Sequence, residues 1–331
     1  MRIPMEVPPG NSRRIIAILA LLSLLLGYAG VSLAQERSQY QHWLELSAAD
    51  QSFADRSDEI GRTRAFLEFL GEDSIVFRNA RGPVDARTEY SSAEFQERGV
   101  RELGWKAHYV DVSRDGDLGL SAGPLTSIDP NGDRDRDGFG HLVSVWQKNL
   151  DRWVLMADIV VNIPGFLSLD VEPNFDDTLP LLEETAHPVV AMTEDNSLQN
   201  LIDADNGFGR SINIRGGQRA LLVWGLTNTR VYLPGMGPAV GVEAASSVYG
   251  AYLDNQLSTN NPISVTHVGG YLSTSKEMGY TYGTMATIID ADIEANENES
   301  ERFRANYLRL WRLSESNDWK IAVEVLDPYC N

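Results

Sequence analysis

Few side chains in this sequence are spaced to do chemistry, and Asp158 is the first of them. It sits in the run RWVLMADIVV among Val154, Met156 and Val160. A carboxylate desolvated by aliphatic neighbours has its pKa raised, which suits a general acid or base. His108 and His141 are strand residues that a concave sheet could bring to Asp158, and a histidine–carboxylate pair is a familiar base and orienter. Alternation along a strand argues the other way. Asp158 then faces away from Trp153 and Leu155, and its counterpart Glu324 shares a face with Lys320 and Ala322. The expectation is therefore that both acids line an outer, wetter face. Trp105, Trp153, Leu155 and Tyr109 are left as candidates to line a ligand cavity.

The loop DPNGDRDRDG carries Asp133, Asp135, Asp137 and Gly138 at the D-x-D-x-D-G spacing of a calcium loop. Ser144 stands where such a loop needs a bidentate glutamate, and Arg134 and Arg136 lower the local negative charge. A solvated hairpin tip is the favoured reading, and calcium is expected to have little effect. The glycines of LPGMGPAVG depart from the dinucleotide fingerprint and predict a turn. The sequence shows no serine elbow, phosphate loop or zinc spacing, so no cofactor is expected.

These candidates must be positioned by the elements around them. A helical pattern runs from Tyr40 through Leu44, Ala48 and Phe53 to Ile60, and a second helix covers about Thr63 to Leu70. Ser74 to Arg78 reads as a short strand, Gly82-Pro83 as a turn, and Glu89 to Arg98 as a polar helical surface piece. Strands follow over Trp105–Val112, Leu118–Thr126, Leu142–Lys148 and Trp153–Val161.

The same plan then recurs. Phe53, Leu67, Val76, Phe77, Gly82 and Pro83 answer to Phe208, Leu222, Val231, Tyr232, Gly237 and Pro238 at an offset of 155. Gly119 and Gly279 are 160 apart, Trp146 and Trp311 are 165 apart, and Trp153 and Trp319 are 166 apart. The offset grows only between landmarks, as loop insertions would make it. Neither histidine candidate is repeated: His108 answers to Val268 and His141 to Asn306. Between the copies, Pro164, Pro173, Pro180 and Pro188 interleave with acids and make a plausible linker. The division is residues 35–165 and 186–331, joined by 166–185, with each unit expected to fold alone.

Helices followed by long antiparallel strands give an α+β class. GDLGLSAGP, GHLVSVWQK and RWVLMADIVV resemble the SnoaL-like, unknown-function branch of the nuclear transport factor 2-like superfamily. The resemblance covers nearly all of the first unit. The second keeps the frame but has Glu277 for Asp117 and Asn306 for His141. It implies two tandem cone-shaped units, each with N-terminal helices packed on a strongly bent sheet. It says little about activity, because that superfamily holds isomerases, dehydratases, cyclases and pure binding modules.

Composition bounds what remains. The net charge of −19 repels phosphate backbones and anionic membranes, so nucleic-acid binding is excluded as a working reading. Cys330 is the sole cysteine, so no intrachain disulfide forms. Arg13 and Arg14, the uncharged run Ile15–Gly30 and Ser32-Leu33-Ala34 read as an export signal over residues 1–34, with an uncleaved anchor as the alternative. Beyond that segment no membrane contact is expected. The leading function is binding of a small, largely apolar molecule by a periplasmic or extracellular protein. Its sheets would serve self-association, as a homo-oligomer, or packing of the two units. A cofactor-independent lyase or isomerase using Asp158 with a histidine, and a structural scaffold, are the alternatives. Mass spectrometry of protein from the cell envelope should find Gln35 as the first residue, whereas intact Met1 in a cytosolic fraction would refute export with cleavage.

Overall fold

Helix α1, residues 39–60, packs on the first sheet through Trp43, Leu46, Phe53 and Ala54. The expected stripe is displaced, since Tyr40 and Leu44 are exposed. The buried stripe escapes a search for apolar period because Asp50 and Ser57 belong to it. The computed structural model describes residues 39–78, 81–92, 102–129, 131–133, 137–165, 172–178, 196–256, 262–287 and 303–328. The export segment 1–34 lies outside them, as do Asp135 and Cys330. No helix among the described residues is long and apolar enough to cross a membrane.

The first unit continues with α2 (Arg62–Phe69), β1 (Leu70–Arg78), β2 (Arg81–Asp85), α3 (Ala86–Tyr90), β3 (Glu102–Trp105), β4 (Tyr109–Val112), β5 (Leu118–Ile128), β6 (Gly138–Asn149) and β7 (Arg152–Ile163). Gly82-Pro83 lies within β2 rather than in a turn, at the sheet edge where proline is tolerated. The second unit has α4 (Leu198–Arg215), α5 (Gly217–Trp224), β8 (Gly225–Tyr232), β9 (Ala239–Val240), α6 (Val242–Gln256), β10 (Ile263–Leu272), β11 (Met278–Thr287), β12 (Arg304–Leu313) and β13 (Trp319–Pro328). Ser197 caps α4 by accepting from the Asn200 N–H at 3.3 Å. The LPGMGPAVG turn is present, with Gly235 at φ 79°.

The strand orders are β2-β1-β7-β6-β5-β3, with β4 also on β5, and β10-β11-β12-β13-β8-β9. They are one order read in opposite directions, β10 standing for β3 and β4 together. The structure is thus the α+β tandem that the repeat implied, with helices ahead of each sheet. One pair in each sheet departs from the antiparallel expectation: β1 runs parallel to β7, and β8 to β13. Parallel neighbours need a long crossover, and the rest of each unit supplies it.

A repeated irregularity sets which side chains face the helices. Leu155 pairs with Trp146 but Ala157 pairs with Val145, so Met156 is an extra residue in β7. Ala322 is the extra residue in β13, between Ile321 opposite Trp311 and Val323 opposite Leu310. A bulge of this kind bends the strand and shifts its alternation by one. Glycine keeps other close approaches open. A Cβ at Gly119 or Gly279 would strike Leu46 or Leu201 on the overlying helix.

The two sheets pack face to face through a shared apolar layer that includes Leu120, Val143, Val145 and Ile159 with Leu308, Leu310, Val323 and Val325. Its edge is polar and obeys the same repeat. Asp117 accepts from Thr274 N–H at 2.8 Å, and Glu277 accepts from Arg114 N–H at 2.7 Å. Residues 114 and 274, and 117 and 277, are each 160 apart, so these are one contact with the units exchanged. Buried Arg312 joins Glu277 at 2.6 Å and also bonds Asp111 of the first unit.

Part of the linker is docked as well. Phe175 packs edge-on against Tyr40 and Trp43, and the Asp177 carbonyl accepts from Asn228 at 2.7 Å. Each unit alone would expose a whole apolar sheet face, so separately expressed units should associate one to one. Removing one partner of a buried charge cluster costs about 3–5 kcal/mol. Arg312→Ala is therefore expected to lower stability by that amount in urea titration, with part recovered by adding Asp111→Asn. An unchanged midpoint would show the triad carries no weight.

Candidate functional site

On the helix-facing side of each sheet, the three long strands and the first helix bring together the same set of positions. In the first unit they are Asp50, Ser121, Ser144, Trp146 and Asp158. In the second they are Asp205, Thr281, Arg309, Trp311 and Glu324. Ser121 lies opposite Ser144, and Ser144 opposite Asp158; Thr281 lies opposite Arg309, and Arg309 opposite Glu324. The indole N–H of Trp146 donates to Ser121 Oγ at 2.9 Å, and that of Trp311 to Thr281 Oγ1 at 2.8 Å. Each hydroxyl then donates to the helix acid, Ser121 to Asp50 at 2.7 Å and Thr281 to Asp205 at 3.0 Å. A tyrosine from a later helix reaches the strand acid in both: Tyr90 to Asp158 and Tyr249 to Glu324, each at 3.2 Å.

The bulge overturns the expectation that these acids face outward. It places Asp158 and Glu324 on the helix side, together with Trp153, Leu155 and Ile321. Lys320, before the bulge, bonds the Val223 carbonyl and does not share a face with Glu324. Trp105, Trp153 and Leu155 belong to the first unit's interior cluster, and Trp105 packs on Phe53 at 4.8 Å between ring centres.

The histidines and Tyr109 are elsewhere. His141 pairs with Val161, which alternates away from Asp158 into the layer between the sheets. His108 bonds Tyr232 of the second unit at 3.0 Å and lies 6.1 Å from the His141 ring. Burial, then the charges of His141 and Arg230, hold His108 down at about 4, so it is neutral at pH 7. Tyr109 lies under the Arg230 guanidinium at 4.2 Å. These three residues serve the contact between units and do not meet Asp158. Asp137 bonds the Asp129 N–H at 2.9 Å, and among the described residues no three metal-ligating side chains gather as an ion site. Asp133 is exposed.

What separates the two centres is residue 144 against residue 309. Arg309, fully buried, donates from Nη1 to Asp205 at 2.7 Å, from Nε to Glu324 at 2.6 Å and from Nη2 to Glu324 at 3.1 Å. Its guanidinium lies 3.9 Å from the Tyr307 ring centre and 4.8 Å from that of Phe208. Tyr307 donates to Asp205 at 2.6 Å, and His267 lies 3.3 Å from the same acid. Among the described residues, buried Ser144 Oγ has no hydrogen-bond partner.

The helix acids respond accordingly. Burial pushes Asp50 up to about 6, and the bond from Ser121 with the indole of Trp105 nearby offsets only part of that. Burial also acts on Asp205, but the Arg309 charge and the bonds from His267, Tyr307 and Arg309 bring it down to about 2. Among the described residues no cation reaches Asp50. The second centre is a closed, charge-compensated cluster; the first holds a carboxyl poised near neutrality.

Sequence reasoning missed Asp50, Tyr90, Ser144, Asp205 and Arg309. Asp50 and Asp205 keep the offset of 155 and lie three residues before the paired phenylalanines, and Ser144 and Arg309 keep the offset of 165. The same comparison that paired the tryptophans would have shown them.

No family model matches the sequence, and no curated protein matches it. Similar solved structures include a ketosteroid isomerase-like protein from Erwinia carotovora atroseptica, 15% identical, covering 41% of this chain and 99% of its own, with a TM-score of 0.33. ActVI-ORFA from Streptomyces coelicolor is 9% identical, covering 40% and 96%, with a TM-score of 0.31. An NTF-2 like protein of unknown function from Shewanella oneidensis is 12% identical, covering 39% and 97%, with a TM-score of 0.29.

A folded-state pKa raised from 3.8 to about 6 means the native protein holds its proton longer than the unfolded chain. Stability from Asp50 is then full below about pH 4 and is lost as pH rises through about 6, by about 3 kcal/mol in all. Asp50→Asn should match wild type in denaturant midpoint near pH 4 and exceed it at pH 7. An equal midpoint at both pH values would show that Asp50 already has a counter-charge.

Proposed function

We propose that this protein is exported and binds a small, largely apolar molecule inside its first unit, with the second unit as its structural partner. The observation that carries this reading is the exchange of Arg309 for Ser144 in an otherwise repeated site. The second interior places a guanidinium and two tyrosines among its acids, and every described polar contact there is internal. The first has a short serine between Ser121 and Asp158, its hydroxyl unpartnered among the described residues, and its interior cluster includes Phe53, Phe66, Trp105, Trp153 and Leu155. A pocket of apolar walls with a few convergent polar groups is the usual form of a small-molecule site. Unpartnered indole nitrogens do not distinguish the units, because Trp153 and Trp319 share that feature.

The superfamily that the sequence resembles includes isomerases and dehydratases as well as binding modules, and one observation favours a catalytic second reading. A buried carboxyl titrating near 6 can take and return a proton at neutral pH. In a lyase or isomerase built here, Asp50 would be the base. The pairing of Asp158 with a histidine does not arise, since His108 and His141 lie beyond the sheet.

Screening small apolar molecules by NMR against the full chain tests the binding reading. Bound molecules should give contacts to the indoles of Trp105 and Trp153 and none to Trp311. Contacts confined to the second interior or to the outer surface would overturn it. Turnover of a bound carbonyl compound, lost in Asp50→Asn while binding survives, would make the protein an enzyme.

A further inference from the structure

We propose that the ligand of the first unit carries an organic cation, a guanidinium or a primary ammonium, that is held at Asp50 beside Ser144. This rests on the small-molecule reading above and names the group by which the ligand is recognised.

The second unit shows what these positions hold when a cation is supplied. Asp205 and Glu324 grip one guanidinium through three hydrogen bonds, two of them in the forked geometry that suits a carboxylate. Asp50 and Asp158 stand at the same helix and strand positions, and the supporting Trp146–Ser121–Asp50 chain repeats Trp311–Thr281–Asp205. The first unit therefore repeats the acid positions of that frame, while residue 144 is serine and, among the described residues, no cation reaches Asp50.

Two features besides the acids point to a ligand. Ser144 Oγ, on a side chain that is 1% exposed, lies by register between Ser121 and Asp158 and has no partner among the described residues. It can accept one further N–H from a group standing where the arginine stands. Aromatic rings also stand at these positions, although Phe53 is itself packed by Phe66, Phe69, Trp105 and Trp146. Phe53 occupies the position of Phe208, against which Arg309 rests, and Trp105 adds an indole where the second unit has Val265. Cations are attracted to such faces, most of all when desolvated.

Charge decides between ligand classes. An ionised carboxylate buried without a counter-charge is costly, so a neutral ligand would leave that cost in place and gain only ordinary hydrogen bonds. An anion would add repulsion. A cation supplies the counter-charge that Asp50 lacks among the described residues and pairs with it where water screens least.

The test uses the full chain at fixed ionic strength, with methylguanidinium and n-butylammonium as probes and methylurea and sodium chloride as controls. Millimolar methylguanidinium or n-butylammonium should raise the melting temperature of the wild type, and neither control should. Calorimetry should show binding weakened at least tenfold in Asp50→Asn. It should be weakened likewise in Ser144→Arg, which installs the second unit's arginine. Should Ser144→Arg fail to fold, Asp50→Asn, isosteric and uncharged, carries the test alone. An equal rise with methylurea or sodium, or a rise that survives in Asp50→Asn, would overturn the proposal. A neutral molecule contacting Trp105 and Trp153 by NMR, with no response to either cation, would refute the cation and leave the binding reading standing. If neither kind of molecule reaches those indoles, both fail.

Discussion

One extra residue in the last strand of each unit governs the rest of this structure. Before Met156, the side chains of Trp153 and Leu155 point to the helices; after it, Asp158 does, while Ala157, Ile159 and Val161 turn to the other sheet. Ala322 does the same in β13. Without the bulge a single alternation would have to serve a helix-covered interior and a sheet-to-sheet layer along the whole strand. With it, each acid lies on the helix side, where Tyr90 reaches Asp158 and Tyr249 reaches Glu324. Burial then sets the chemistry, because a carboxyl inside is either neutralised by a cation or holds its proton to higher pH.

The two buried charge clusters have different tasks. Asp111, Arg312 and Glu277 stand at the edge of the layer between the sheets and tie one unit's strand to the other's hairpin. Buried ion clusters seldom add net stability over apolar packing, but they reject misregistered partners, since a shifted sheet would strand one of the charges. Asp205, Arg309 and Glu324 lie instead within one unit and bind a helix to two strands. The first cluster specifies how units meet; the second fills an interior.

The architecture was legible because its signals were large and repeated. Paired tryptophans, paired glycines and offsets that grew only between landmarks marked two units of like plan, helices first and strands after. The site was less legible, for reasons that can be named. Reading Asp158 outward assumed that alternation stays in phase across nine residues, and a bulge is invisible to that assumption. Asp50 interrupts the buried stripe of α1, so a search for apolar spacing slid to Tyr40 and Leu44. Tyr90 was absorbed into a polar surface piece, although it ends a short helix that points it at Asp158. His108 and His141 looked like partners for an acid because nothing in a single unit announces that its outer sheet face is covered by the other.

That cover has a consequence for how two such interiors can differ. Where identical subunits associate through their sheets, each gene change is written twice, and an arginine placed in one interior is placed in both. Joining the halves in one polypeptide removes that constraint. Position 309 can become arginine while position 144 stays serine, and the partnership still forms in fixed one-to-one proportion at any dilution. The fusion thus permits the halves to diverge: one carries an arginine among its buried acids, while the other keeps an acid that no cation reaches among the described residues.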